Sequence, residues 1–180
     1  MKLCNSILAI SGLALTLFLG TVAQKTTDVI RSIDFVASSS ETLGHEIGLV
    51  NDGNVADNGK LMAQDIQTLA ELILGQLESV IYVDNPKPLS NNHAQLVVDA
   101  LQQSVPTEKT MLQTIIDKHA FALQYLLVGG MVQPIRTLRA ALEAYFGAII
   151  SLVPTQVPAA NATFVDLEDY LEAIVQTYES

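Results

Sequence analysis

Cysteine occurs once in 180 residues, as Cys4, and tryptophan does not occur. Charge is also scarce: 16% of residues are Asp, Glu, Lys or Arg, against 49% hydrophobic, where soluble domains carry roughly 25% charged residues. The nine basic side chains are spread thinly among 19 acidic ones, and the net charge is −10. Binding to a phosphate backbone needs clustered Lys or Arg, so nucleic acid is excluded as a partner. Catalytic patterns are missing as well. His45, His93 and His119 stand without a serine elbow or a thiol partner, and nucleophilic catalysis needs a base beside its nucleophile. His45-Glu46 lacks a second histidine at zinc-helix spacing, and Gly129-Gly130 lacks the lysine and serine of a phosphate loop. These absences predict a protein that is not an enzyme and uses no metal or cofactor.

What is present begins with an address. Lys2 precedes an apolar run from Ile7 to Leu19, and small residues lead to Ala23. The run is too short for the roughly 20 residues that span a bilayer, so residues 1–23 read as a secretory signal peptide. Cleavage there removes Lys2 and Cys4 and leaves one domain, 24–180, with no thiol and no disulfide. A chain of that length buries roughly two-thirds of its unfolded surface and can stand on its core. It cannot be one of the small secreted carriers stapled by four or six cysteines.

Five stripes of apolar residues follow at helical spacing. The first holds Val29, Ile33, Val36, Leu43, Ile47 and Val50, with Ser40 in the missing place, and stops at Asn51-Asp52-Gly53. The second holds Met62, Ile66, Leu69, Ile73, Leu77 and Val80, opened by Asp57 or Asn58 and closed by Asp84-Asn85-Pro86-Lys87-Pro88. The third starts at Ser90 and carries Ala94, Val97, Leu101, Val105, Leu112, Ile115 and His119. Pro106 interrupts it, which predicts a kink or a break, with Glu108 in the first turn of a new helix. The fourth runs Met131, Ile135, Leu138, Leu142, Tyr145, Ile149 and Leu152, after Gly129-Gly130 and with Pro134 in its first turn. The fifth starts at Thr163 with a capping-box spacing to Asp166 and buries Phe164, Leu167, Leu171, Ile174 and Tyr178. No segment alternates as a strand does. The fold class is therefore all-α, a bundle of about five amphipathic helices, the third kinked or broken near Pro106. Asn161-Ala162-Thr163 is an N-glycosylation sequon, placed by this reading in an exposed loop.

Several stretches carry a resemblance. Thr27-Asp28-Val29 leading to Ile33, the run Leu112 to His119 with Phe121 behind it, Leu138 to Val153-Pro154, and Asp169 to Ile174 running on to Tyr178 are similar to the fungal hydrophobic surface-binding protein A family, the cell-wall galactomannoproteins. The resemblance spans roughly residues 27–178. It implies a secreted or wall-associated fungal protein whose helical bundle encloses a fatty acid or other hydrophobic ligand. It also implies an alternative, a protein that adsorbs to a hydrophobic solid surface and recruits a secreted polyester hydrolase, or a structural wall mannoprotein. The chain stops at Ser180 directly after its last helix, which favours free secretion over a glycolipid anchor.

If a lipid lies along the bundle, the stripes supply its wall: Ile33, Val36, Leu43 and Ile47; Ile66, Leu69 and Ile73; Leu101, Leu112 and Ile115; Leu138, Leu142 and Tyr145; Leu171 and Ile174. Ser40 and Gln76 are uncharged polar interruptions able to bond a carboxyl group, unless Ser40 bonds a backbone carbonyl and Gln76 faces solvent. Glu108 interrupts a third stripe but is left out of the site, because its carboxylate would repel an ionised fatty acid. Phe121, Leu123, Tyr125, Leu126 and Leu127 lie in an apolar segment that is either a surface contact or lid, or a connector tucked into the core.

Overall fold

In a computed structural model that describes residues 26–78 and 87–180, the chain forms α1 (Thr26–Leu49), α2 (Val55–Asn58), α3 (Leu61–Gln76), α4 (Asn91–Asp117), α5 (His119–Gln124), α6 (Val128–Leu152) and α7 (Val157–Glu179). No strand occurs among the described residues. The signal peptide, Val80 and the closing Asp84-Asn85-Pro86 lie outside them.

Each long helix buries most of the stripe expected of it, because residues three and four apart share a face; Phe164 is only half-buried, and His119 falls in α5. Val29, Ile33, Val36, Leu43 and Ile47 of α1 are buried, as are Met62, Ile66, Leu69 and Ile73 of α3. The end of α1 is built from side chains. Asn51 and Asn54 both donate their amides to the Leu49 carbonyl at 3.0 Å, and Lys118 donates to the carbonyls of Gly48 at 3.0 Å and Val50 at 2.6 Å. A cation at this terminus complements the helix dipole. Gly59 is required where α2 turns into α3, since a Cβ there would stand 2.7 Å from the Val55 carbonyl oxygen.

Three boundaries that involve a proline differ from the sequence reading, and α3 opens at Leu61 after Lys60, not at Asp57 or Asn58. Chain Asn91–Asp117 is one continuous helix through Pro106. The expected break does not occur, and Glu108 sits inside α4 and not at a helix start. Pro106 and Gln102, the residue whose carbonyl loses its donor, are both exposed; water can satisfy that carbonyl, so the helix continues. Likewise α6 begins at Val128 and takes Gly129-Gly130 into itself, placing Pro134 in the second turn. The carbonyl freed there belongs to the exposed Gly130. Finally, α7 begins at Val157 with Pro158 in its first turn; Ala159, Ala160 and Ala162 are strong helix formers and carry it through 163. The Thr163 cap is therefore absent. Its hydroxyl donates back to Ala159 at 3.0 Å, and Asp166 pairs with Lys109 at 2.9 Å instead of serving a helix start. Asn161 is exposed, but on a helix and not in a loop.

The five long helices run alternately up and down. Lys118 bonds the end of α1, so α1 and α4 are parallel, while the Leu89 amide donates to the Leu152 carbonyl at 2.8 Å, setting the start of α4 beside the end of α6. Packing is cyclic: α1 lies against α4, α4 against α7, α7 against α6, α6 against α3, and α3 against α1. A ring of five with ordinary helix spacing of ~9–10 Å puts its axis about 8 Å from every helix. Backbone cannot reach that axis, so inward side chains alone determine what lies there.

Candidate functional site

The apolar wall is assembled as the spacing required. Ile33, Val36, Leu43, Ile47, Ile66, Leu69, Ile73, Leu101, Leu112, Ile115, Leu138, Leu142, Tyr145, Leu171 and Ile174 are all buried in one cluster fed by all five long helices. Within this wall stands a polar group. Ser32 Oγ of α1 and Tyr145 Oη of α6 share a hydrogen bond of 2.8 Å. Those two helices are not neighbours in the ring, so the bond is a crossbar through its interior. Burial pushes the Tyr145 hydroxyl's pKa upward, with a further upward contribution from Glu108 of α4.

Glu108 is 1% exposed and Ser40 0%. The Oε2 of Glu108 and the Oγ of Ser40 have no hydrogen-bond partner within the protein. Buried polar atoms are almost always paired, so each such atom asks for an explanation. Helix register brings these two close in height. A Cβ on Gly44 would meet Met111 Cα at 3.2 Å; one turn back along the parallel helices lie Ser40 and Glu108. Burial drives the Glu108 pKa up to about 8. Its own backbone and the Ser104 hydroxyl oppose that shift only in part, and no cation contributes. The carboxyl is thus protonated and neutral at pH 7. The repulsion that excluded it in the sequence reading is absent, and Glu108 lies on the buried polar level of Ser40.

Gln76 does not join them. It is the half-buried last residue of α3, at the end of that helix away from the Ser40 level. A second acidic pair lies nearer the other end: Asp65 of α3 is raised to about 6 by burial and by Glu46 of α1. Burial also raises Glu46, with His45 opposing. His119 stacks edge-on against Tyr178 at 4.9 Å, while His45 and His93 are exposed. Among the described residues no three His, Cys, Asp or Glu side chains are grouped to hold a metal.

The segment after α4 divides its residues. Phe121 and Leu127 pack half-buried on the core, and the Tyr125 hydroxyl donates to Asp52 at 2.8 Å. Leu123 and Leu126 face out, 53% and 91% exposed. Leu126 holds φ at 59°. Its amide and that of Leu127 bond the Leu123 and Ala122 carbonyls, which closes α5 in a Schellman motif at the position where glycine is usual.

A ring of amphipathic helices with polar side chains buried inside it defines the class, an all-α bundle. No protein-family model and no curated protein matches this chain in sequence. Solved structures do match in fold. One is AfMP4p in complex with palmitic acid, with a TM-score of 0.74 and 14% identity over 86% of this chain and 99% of that one. Another is ligand-binding domain 1 of the Penicillium marneffei MP1 protein complexed with arachidonic acids, with a TM-score of 0.74, 12% identity and the same coverage. The fold is therefore shared with fungal helical proteins crystallised with fatty acids.

Proposed function

We propose that this chain is a non-enzymatic carrier that holds a fatty acid, or a similar single-chain lipid, along the axis of its helical ring. One observation carries the reading: Ser40 and Glu108 keep unpartnered polar atoms fully buried within an apolar wall. That wall belongs to a fold found around palmitic and arachidonic acids in other proteins. The carboxyl end belongs beside Ser40 and Glu108. The Ser32–Tyr145 crossbar closes the axis on one side, so the tail runs the other way, past Leu43, Ile47, Leu112 and Ile115 toward α5. Burying sixteen carbons gains on the order of 10 kcal/mol before ordering costs.

The composition and leader support a secreted, wall-associated product whose exposed Asn161 accepts a glycan; a helical sequon would be glycosylated before α7 closes. Native mass spectrometry of secreted protein tests the carrier. A stoichiometric fatty acid that organic extraction removes is the expected result, and a bare mass from lipid-rich medium would overturn it.

A second reading, adsorption to a hydrophobic surface, rests on Leu126, strained and almost wholly exposed beside exposed Leu123. A bulky residue held at positive φ in water points to a use for its side chain. Depletion onto alkyl beads should then survive high salt and be lost in L123S/L126S; salt-sensitive depletion would reject this reading. Recruitment of a secreted hydrolase to such a surface would be read by adding the enzyme to coated beads.

A further inference from the structure

We propose that Glu108 binds the ligand's carboxyl group through a proton the two share, so that this chain holds a carboxylate by the one proton that Glu108 carries. The inference rests on the carrier reading and adds to it a determinant of headgroup choice and of release. Its ground is geometric. Glu108 Oε2 and Ser40 Oγ are unpartnered and shut off from water on adjacent turns of α4 and α1. The Tyr145 hydroxyl, occupied by Ser32, lies close enough to feel the Glu108 charge. Two carboxyl groups in such a place cannot both ionise, but one acid and one carboxylate form a strong, charge-assisted hydrogen bond. No covalent bond changes. The proton stays between the two groups, Ser40 donates to a remaining carboxylate oxygen, and the single negative charge is spread over both.

The surroundings leave this proton to Glu108. On α4 its partner is the Ser104 hydroxyl, opposing burial. Tyr145 of α6 is held neutral by burial, and Asp34 of α1 raises that phenol further. From α7, Asp166 is bound to Lys109 and the Tyr178 hydroxyl donates to the Ile115 carbonyl. Glu46 acts on Asp65, and His45 acts on Glu46. Burial supports the same conclusion, since it keeps the Glu108 proton up to about pH 8.

Decanoic acid and 1-decanol, titrated into the full secreted protein by calorimetry from pH 6 to pH 10, test this. The acid is ionised in solution throughout, so binding above pH 8 must draw a proton. Its affinity should stay level to about pH 8 and then fall roughly tenfold per pH unit, while decanol binding changes less than about threefold. E108Q retains a neutral donor of the same shape, so its acid affinity should become flat over the whole range. Parallel profiles for acid and alcohol, or the wild-type fall persisting in E108Q, would overturn the shared proton and leave the carrier standing. Binding of neither ligand at any pH would overturn both.

Discussion

A carboxyl group buried without a cation keeps its proton, and the folded protein is then linked to pH through that side chain. Glu108 titrates near 8 in the folded state against an ordinary 4.5. The folded chain therefore binds a proton the unfolded chain has lost. This contribution to stability is complete below about pH 4.5 and is lost as pH rises through 8. E108Q removes the linkage. In urea unfolding the variant should match the wild type near pH 5 and exceed it at pH 9 by up to about 4 kcal/mol; equal differences at the two pH values would refute the buried acid. The crossbar behaves differently. Y145F leaves Ser32 Oγ buried without its 2.8 Å partner and should cost about 1–2 kcal/mol, while Y145F/S32A should cost less than the sum of the single changes. Sequence spacing alone put Ser40, Glu108 and Tyr145 on inward stripes. It could not pair Ser32 with a tyrosine 113 residues away. It also assigned Glu108 the charge it has in water, whereas burial pushes its pKa up to about 8.

At the level of elements, the stripes specified which face of each helix is buried and left the ends less certain. Pro106 was read as a kink or a break and Pro134 as a first-turn residue, but the helix runs on through Pro106 and Pro134 lies in a second turn. Whether a helix tolerates a proline depends on whether water reaches the freed carbonyl, a tertiary fact absent from local sequence. The α5 cap shows the reverse case, tolerance with strain. Leu126 at φ 59° pays the Cβ penalty of left-handed backbone, so L126G should stabilise the protein by about 1 kcal/mol in thermal or chemical unfolding. A loss of stability would mean that the leucine side chain packs on something in the folded chain. Between elements, α1 and α4 approach closely at Gly44, whose added Cβ would be 3.2 Å from Met111 Cα. Backbone cannot yield as a side-chain tip can, so G44V should cost about 1–3 kcal/mol and shift Ser40 relative to Glu108.

For the whole molecule, amphipathic stripes resemble one another too closely to say which helix neighbours which, so the cyclic order α1, α4, α7, α6, α3 emerges only in three dimensions. That order matters because it makes Ser32–Tyr145 a diagonal and gives the interior two unequal ends. From the Ser40 and Glu108 level to the end of α1 at Leu49 is nine residues, about 14 Å of helix. One acyl chain occupies roughly half of a ~30 Å hydrocarbon layer, a similar length. On the carrier reading, a single chain of ordinary length would place its carboxyl group at the polar cluster and its methyl end under α5. Saturated monocarboxylic acids should raise the melting temperature progressively with length up to about sixteen carbons. At a hundred times Kd the gain is about 2.7 kcal/mol, or roughly 5–10 °C for a chain of this size. Hexadecanedioic acid is the stringent comparison. Its second carboxylate would be forced among the Ile115, Ile135 and Ile47 side chains, with no donor in reach, and burying an unpaired charge is prohibitive. A shift for the diacid equal to that for palmitic acid would show that the tail end lies in water, and the axial site would have to be abandoned.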